Sequence, residues 1–154
     1  MKALPLIAVA LPLCCLICFA NVPVHEINRD KILEDRQWQE NYNQCKPDPD
    51  VIESLKSKLG NGLRIVVYLG LWCPDSRNHV PPFIKILDAA GVSVPVRFLS
   101  VQRKPVKSIR YYSDEFQVER VPTFIFYRGG TEIGRIVENP DAGLIEDMLA
   151  ILSK

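Results

Sequence analysis

Residues 63–71 (LRIVVYLGL) constrain the fold more than any other segment. They form an almost unbroken apolar run with several β-branched side chains. The turn signal Asn61-Gly62 precedes the run, and Trp72-Cys73-Pro74 follows it. A run of that kind predicts a strand buried on both faces. Such a strand belongs inside a sheet that other layers cover, so the chain is read as α/β.

The surrounding segments fill in those layers. Residues 74–90 read as a helix, interrupted at Pro81-Pro82 and ended by Gly91. Residues 92–101 (VSVPVRFLSV) alternate like a second strand, and residues 105–116 read as a short helix. Residues 123–127 and 132–137 make two more strands around the turn Gly129-Gly130. Asp141 is expected to cap a last amphipathic helix through Leu152, with Leu144, Ile145, Met148, Leu149 and Leu152 on one face. Upstream, Asp50 is a good N-cap for a helix carrying Val51, Leu55 and Leu59, and residues 29–42 look helical. A helix joining two strands favours a parallel pair, and the final hairpin adds antiparallel strands. The expected product is a mixed sheet of about four strands with helices on both faces.

The start of the chain has a different character. Met1-Lys2 is followed by an uncharged, almost wholly apolar stretch to Ala20, and the next charge is Glu26. This reads as a signal peptide, residues 1–20, cleaved after Ala20. The expected location is the periplasm or the cell exterior. A membrane-anchored form, retained or lipidated at Cys14, Cys15 or Cys18, is the lesser option. Residues 21–49 then form a polar, helical extension, and residues 50–154 form the domain. Loss of the leader leaves 18 basic and 18 acidic residues, since it holds one Lys and no acid. Without a basic stripe, nucleic acid is excluded as a partner. Five cysteines become two, Cys45 and Cys73. No histidine stands at zinc-ligand spacing from either, so no metal is expected.

Cys73 is where chemistry concentrates, because it ends the most buried strand and opens a helix. The first turn of a helix offers unpaired N–H groups and a positive dipole end, which favour a thiolate. Pro74 suits the first helical position, having no N–H to leave unpaired. Ser76 stands where its hydroxyl could reach back to the sulfur. Asp75 opposes a thiolate and Arg77 offsets it.

The segment Trp72-Cys73-Pro74-Asp75-Ser76-Arg77, with Pro81 further along, resembles the active-site segment of the thioredoxin family. Arg120-Val121-Pro122-Thr123-Phe124 resembles that family's cis-proline loop, and Tyr127-Arg128-Gly129-Gly130 its final hairpin turn. The similarity spans about residues 50–153. It implies a thioredoxin-like fold and a nucleophilic Cys73 that forms mixed disulfides. It also implies that Trp72 flanks the thiol and that Pro122, if cis, leaves the Val121 backbone to pair with an extended substrate. The implied partners are protein thiols and disulfides, with a membrane redox partner a further option; no cofactor is implied.

Two positions depart from the family pattern. Ser76 stands where a dithiol member has its second cysteine, which makes this a Cys-x-x-Ser variant. Val67 occupies the place of a buried acid used in proton transfer. Cys45 is a candidate resolving thiol, because the helix after it should begin near the strand end that carries Cys73. About five extended residues span roughly 17 Å. Plainer readings stand beside these. Cys73 could be a small buried hydrophobe, Cys45 a stray thiol and Ser76 a helix-start residue. His79 reads as a satisfied structural histidine; Trp38, Tyr42, Tyr111 and Tyr112 read as packing residues, and His25 has no role. Three functions compete: exported thiol–disulfide chemistry at Cys73, a non-catalytic peptide-binding module, and a monothiol glutathione-dependent protein.

Overall fold

The structure is a computed structural model and describes residues 22–60, 62–104, 111–113 and 115–154. The expected signal peptide lies outside the described residues.

The elements in chain order are β1 (Val24–Ile27), α1 (Arg29–Leu33), α2 (Arg36–Gln44), α3 (Pro49–Lys56), β2 (Leu63–Leu69), α4 (Pro74–Ala90), β3 (Val96–Val101), β4 (Thr123–Arg128), β5 (Thr131–Val137) and α5 (Leu144–Leu152). The strands form one mixed sheet in the order β1-β3-β2-β4-β5. β2 and β3 are parallel, with Val67 opposite Phe98, and α4 makes the crossover between them. β4 runs antiparallel to β2, with Val67 also opposite Phe124. The hairpin β4–β5 turns through Gly129 and Gly130, both at positive φ, which a two-residue hairpin turn requires.

β2 is therefore the central strand, as its apolar run demanded, and alternation divides its side chains between two cores. Ile65, Val67 and Leu69 join Phe83, Ile84, Phe98, Phe124 and Phe126 on one face. All five helices bury their apolar residues there, including Ile32, Trp38, Leu55 and Met148. Val66 and Tyr68 look the other way, into a cluster with Cys73, Leu99, Val101, Tyr112, Val118 and Val121. Of the helix expected over residues 105–116, residues 105–110 and 114 lie outside the described residues, and residues 111–113 and 115–116 are turn and bend rather than helix. Ser113 and Val118 close a turn through an isolated bridge.

The fifth strand is the main correction to the reading of the chain. β1 pairs antiparallel with β3, Val24 opposite Val101 and Ile27 opposite Phe98, and it includes His25. Its three exposed residues give too short and polar a pattern to see in sequence. The stretch read as a helical extension thus supplies a strand, together with buried Ile32 and Trp38. Residue 50 does not mark the start of the domain.

Two helix boundaries also move and a third helix proves continuous, each for a local reason. Asp48, not Asp50, caps α3: its carboxylate accepts from the Asp50 and Val51 amides, and Pro49 fills the first helical position. Gly143 precedes α5, while the Asp147 carboxylate accepts from the Asp141 and Ala142 amides. α4 runs unbroken through Pro81 and Pro82. Pro81 has no N–H for the Arg77 carbonyl four residues back. The Asn41 side chain replaces it, donating to that carbonyl at 2.8 Å.

Candidate active site

β2 ends at Leu69, and the short link Gly70-Leu71-Trp72 delivers Cys73 as the N-cap of α4. The turn is closed by the Cys73 amide on the Gly70 carbonyl at 2.9 Å. Ser76, fully buried, fastens it from within: its Oγ accepts the Gly70 N–H at 3.1 Å. The serine hydroxyl thus holds the strand end, and its recorded partner is backbone rather than the Cys73 sulfur.

The Cys73 sulfur does not cap its own helix. It turns towards the loop before β4, where its S–H donates to the Val121 carbonyl at 3.3 Å. The Val121–Pro122 bond is cis. That loop is pinned from three sides. Thr123 Oγ1 donates to the Arg120 carbonyl at 2.7 Å, the Glu138 amide donates to the Pro122 carbonyl at 2.7 Å, and Arg120 pairs with Glu138 at 2.6 Å. The sequence-predicted residues Trp72, Cys73, Ser76, Val121 and Pro122 are therefore brought to one point.

Trp72 packs flat against that turn. Its Nε1 donates to the Val101 carbonyl at 3.1 Å, and its ring occupies the space a side chain at Gly70 would need. The Arg103 guanidinium stacks on the indole at 4.6 Å. Tyr112 leans against Trp72 with ring centroids 6.5 Å apart, and Lys104 Nζ sits over the Tyr112 ring at 4.3 Å. Burial, then the neighbouring Cys73, raise the Tyr112 phenol above its ordinary range, with Arg103 partly opposing them. Under this cover Cys73 is only 5% exposed. Tyr112 is a packing residue, as expected; that it packs in the same cluster as Cys73, with Arg103 and Lys104 stacked on the aromatics, has no signal in sequence spacing.

Cys45 is not part of the site. Its sulfur lies 4.0 Å from the Pro82 carbonyl, eight residues into α4 from Pro74. Eight residues advance a helix by about 12 Å. The physical cause is α2, which packs along the side of α4 and delivers Cys45 to its middle rather than to its tip. Both cysteines are free. His79 pairs with the Asn139 side chain at 3.0 Å and ties α4 to the segment after β5. Val67 is fully buried among apolar side chains. Among the described residues no three His, Cys, Asp or Glu side chains converge to hold a metal.

Comparison with known proteins agrees with this geometry. The family model for thioredoxin matches residues 22–149, most of the chain and all five strands. The chain belongs to the thioredoxin family. Thioredoxin H3 of Arabidopsis thaliana is 31% identical over 111 residues, 71% of this chain and 86% of its own. The H-type thioredoxin of Brassica oleracea is 28% identical over 94 residues, covering 60% of this chain and 72% of that protein. Among solved structures, the thioredoxin of Aeropyrum pernix superposes with a TM-score of 0.42 at 17% identity, covering 86% of this chain and 97% of that one. The thioredoxin match begins at the residues leading into β1, in accord with that strand's place in the sheet.

Proposed function

We propose that this thioredoxin family member is an exported Cys-x-x-Ser thiol–disulfide protein that works through the single thiol of Cys73. The observation that carries the reading is the meeting of Cys73, as N-cap of α4, with the Val121 carbonyl beside Pro122. The sulfur stands at the start of α4, facing the loop that holds the cis Val121–Pro122 bond. It attacks one sulfur of a client disulfide. The S–S bond breaks, a Cys73–client disulfide forms, and the departing thiolate takes up a proton.

Release needs a second thiol. Ser76 cannot supply it, and Cys45 is against the middle of α4. The thiol that frees Cys73 then comes from the client itself, which is isomerisation, or from an external thiol. A protein of this kind retains mixed disulfides longer than a dithiol reductase does. Protein thiols and disulfides are the fitting substrates, and the leader at residues 1–20 supports an oxidising compartment as the place of work.

The test is acid quenching and alkylation of cells expressing the full chain, followed by mass spectrometry of species linked to Cys73. Client proteins should be found attached in the parent and absent in Cys73→Ala. Absence of any attached protein, with no acceleration of rearrangement in a scrambled-disulfide substrate, would remove the redox reading. N-terminal sequencing of the fractionated protein tests export, with Asn21 expected first.

A further inference from the structure

Nucleophilic attack on a disulfide requires the incoming sulfurs to line up with the attacking one. That approach is obstructed here. Cys73 is 5% exposed. Tyr112, 9% exposed, lies in the same apolar cluster as Cys73, Val118 and Val121. Its backbone N–H donates to the Val118 carbonyl at 2.6 Å, and the Val118 N–H returns to the Ser113 carbonyl at 2.9 Å. Its ring rests on Trp72 and takes the Lys104 ammonium on its face at 4.3 Å. The same ammonium donates to the Glu119 carbonyl at 2.7 Å, two residues before Val121. Trp72, Tyr112, Lys104 and Glu119 are thus linked into a strap that runs from the residue before Cys73 to the loop before Val121.

We propose that Tyr112 is a specificity-determining residue, whose ring over Cys73 admits slender, extended disulfide segments and turns away bulky or folded ones. The inference rests on Cys73 being the nucleophile but does not require any particular client. The strap separates two demands on the site. The Val121 carbonyl fixes where the sulfur points, and the tyrosine decides what can reach it. A bulky disulfide reacts only from the fraction of molecules in which the ring has swung aside, and its rate falls by that fraction.

The experiment compares alkylation of Cys73 by iodoacetamide, which is small, with alkylation by N-(1-pyrenyl)maleimide, which is bulky. Both are followed by peptide mass spectrometry on the folded protein and on the protein in denaturant. Relative to the denatured chain, the folded protein should disfavour the bulky reagent by about tenfold or more. Tyr112→Ala, with its thermal transition retained, should restore most of that factor while changing the iodoacetamide rate far less. Tyr112→Phe keeps the ring and should keep the parent ratio. Lys104→Met, which loosens the strap without removing the ring, should recover part of the factor. An equal ratio in folded and denatured parent protein would overturn the proposal without any variant, and so would a folded Tyr112→Ala that discriminates like the parent. Because alkylation involves no disulfide, size discrimination without disulfide exchange would sink the proposed function and leave standing only the screening of Cys73 by Tyr112.

Discussion

Ser76 Oγ accepts the Gly70 N–H at 3.1 Å, across a junction where both groups are buried. The bond joins the end of the central strand to the first turn of the helix that carries Cys73. Its geometry makes two substitutions informative. Ser76→Ala leaves a buried amide without a partner, which costs about 1–3 kcal/mol. Chemical denaturation should show the loss as a lowered midpoint with little change in slope. Ser76→Cys weakens the same bond but places a second thiol one turn from the first. Mixed disulfides trapped on Cys73 should then become scarce, because an internal thiol releases them. Unchanged yields in Ser76→Cys would argue against Ser76 as the reason for a monothiol cycle.

Asn41 carries the continuity of α4 through Pro81. Its side-chain amide is the partner of the Arg77 carbonyl, at 2.8 Å. Asn41→Ala withdraws that donor and is expected to cost about 1–2 kcal/mol. Asn41→Asp offers no donor while ionised and should cost at least as much. The pairing predicts that Pro81→Ala lightens the penalty, because a main-chain N–H becomes available at that position. A double-mutant cycle read by thermal unfolding checks it, and strict additivity would show that the two positions are not coupled.

Where local pattern and long-range packing agree, the chain can be read directly. The run 63–71 became β2, and Trp72 through Arg77 and Arg120 through Phe124 met as their resemblance implied. Where the outcome depends on a partner remote in sequence, it was hidden. Val24 to Ile27 is a strand because the edge of β3 is open to it, not because four mostly exposed residues prefer to be extended. Pro81-Pro82 looks like a break until Asn41, far upstream, is known to fill the lost bond. The expected start of the next helix and the chain length before it put Cys45 within reach of Cys73. The direction of α2 decides otherwise.

Asp88 anchors the other end of α4 and makes stability depend on pH. Its carboxylate takes two bonds from Arg29, at 2.7 and 2.8 Å, and one from the Tyr42 hydroxyl at 2.7 Å. The Arg29 bonds, more than the opposing burial, hold the Asp88 carboxyl below its ordinary 3.8. A lowered carboxylate stabilises fully above the unfolded value, and the effect vanishes as pH falls through the folded one. Arg29 is 43% exposed, so screening keeps the contribution to about 1 kcal/mol. Asp88→Asn should therefore lower stability by about that amount at pH 7 and by almost nothing near pH 2. Urea titrations at the two values distinguish this from a packing effect, which would persist in acid.

Burial raises the Cys45 thiol above its ordinary 9.0, and Lys85 only partly counters it. At neutral pH this cysteine should alkylate more slowly than a free one, and Cys45→Ser should leave disulfide exchange at Cys73 intact. Mild oxidation should not join Cys45 to Cys73, since bridged cysteines need Cα atoms within about 7 Å. A peptide map under oxidant is the measurement, and a linked Cys45–Cys73 pair in folded protein would contradict the arrangement of α2 against α4.

Gly70 is required by Trp72 rather than by its own backbone. A Cβ there would lie 2.9 Å from the indole ring, closer than carbon atoms pack. Gly70→Ala must push the ring outward. That strains the Nε1 bond to the Val101 carbonyl and takes away the surface on which Arg103 and Tyr112 rest. The expected cost is about 1–3 kcal/mol, typical of overpacking. It should come with a changed indole emission that disappears in a Trp72→Phe background, where only the fully buried Trp38 reports. Because Tyr112 loses its support, the bulky maleimide should also gain access to Cys73. A Gly70→Ala protein that is less stable yet keeps the parent emission would mean that the strain is absorbed in the backbone, with the indole left in place.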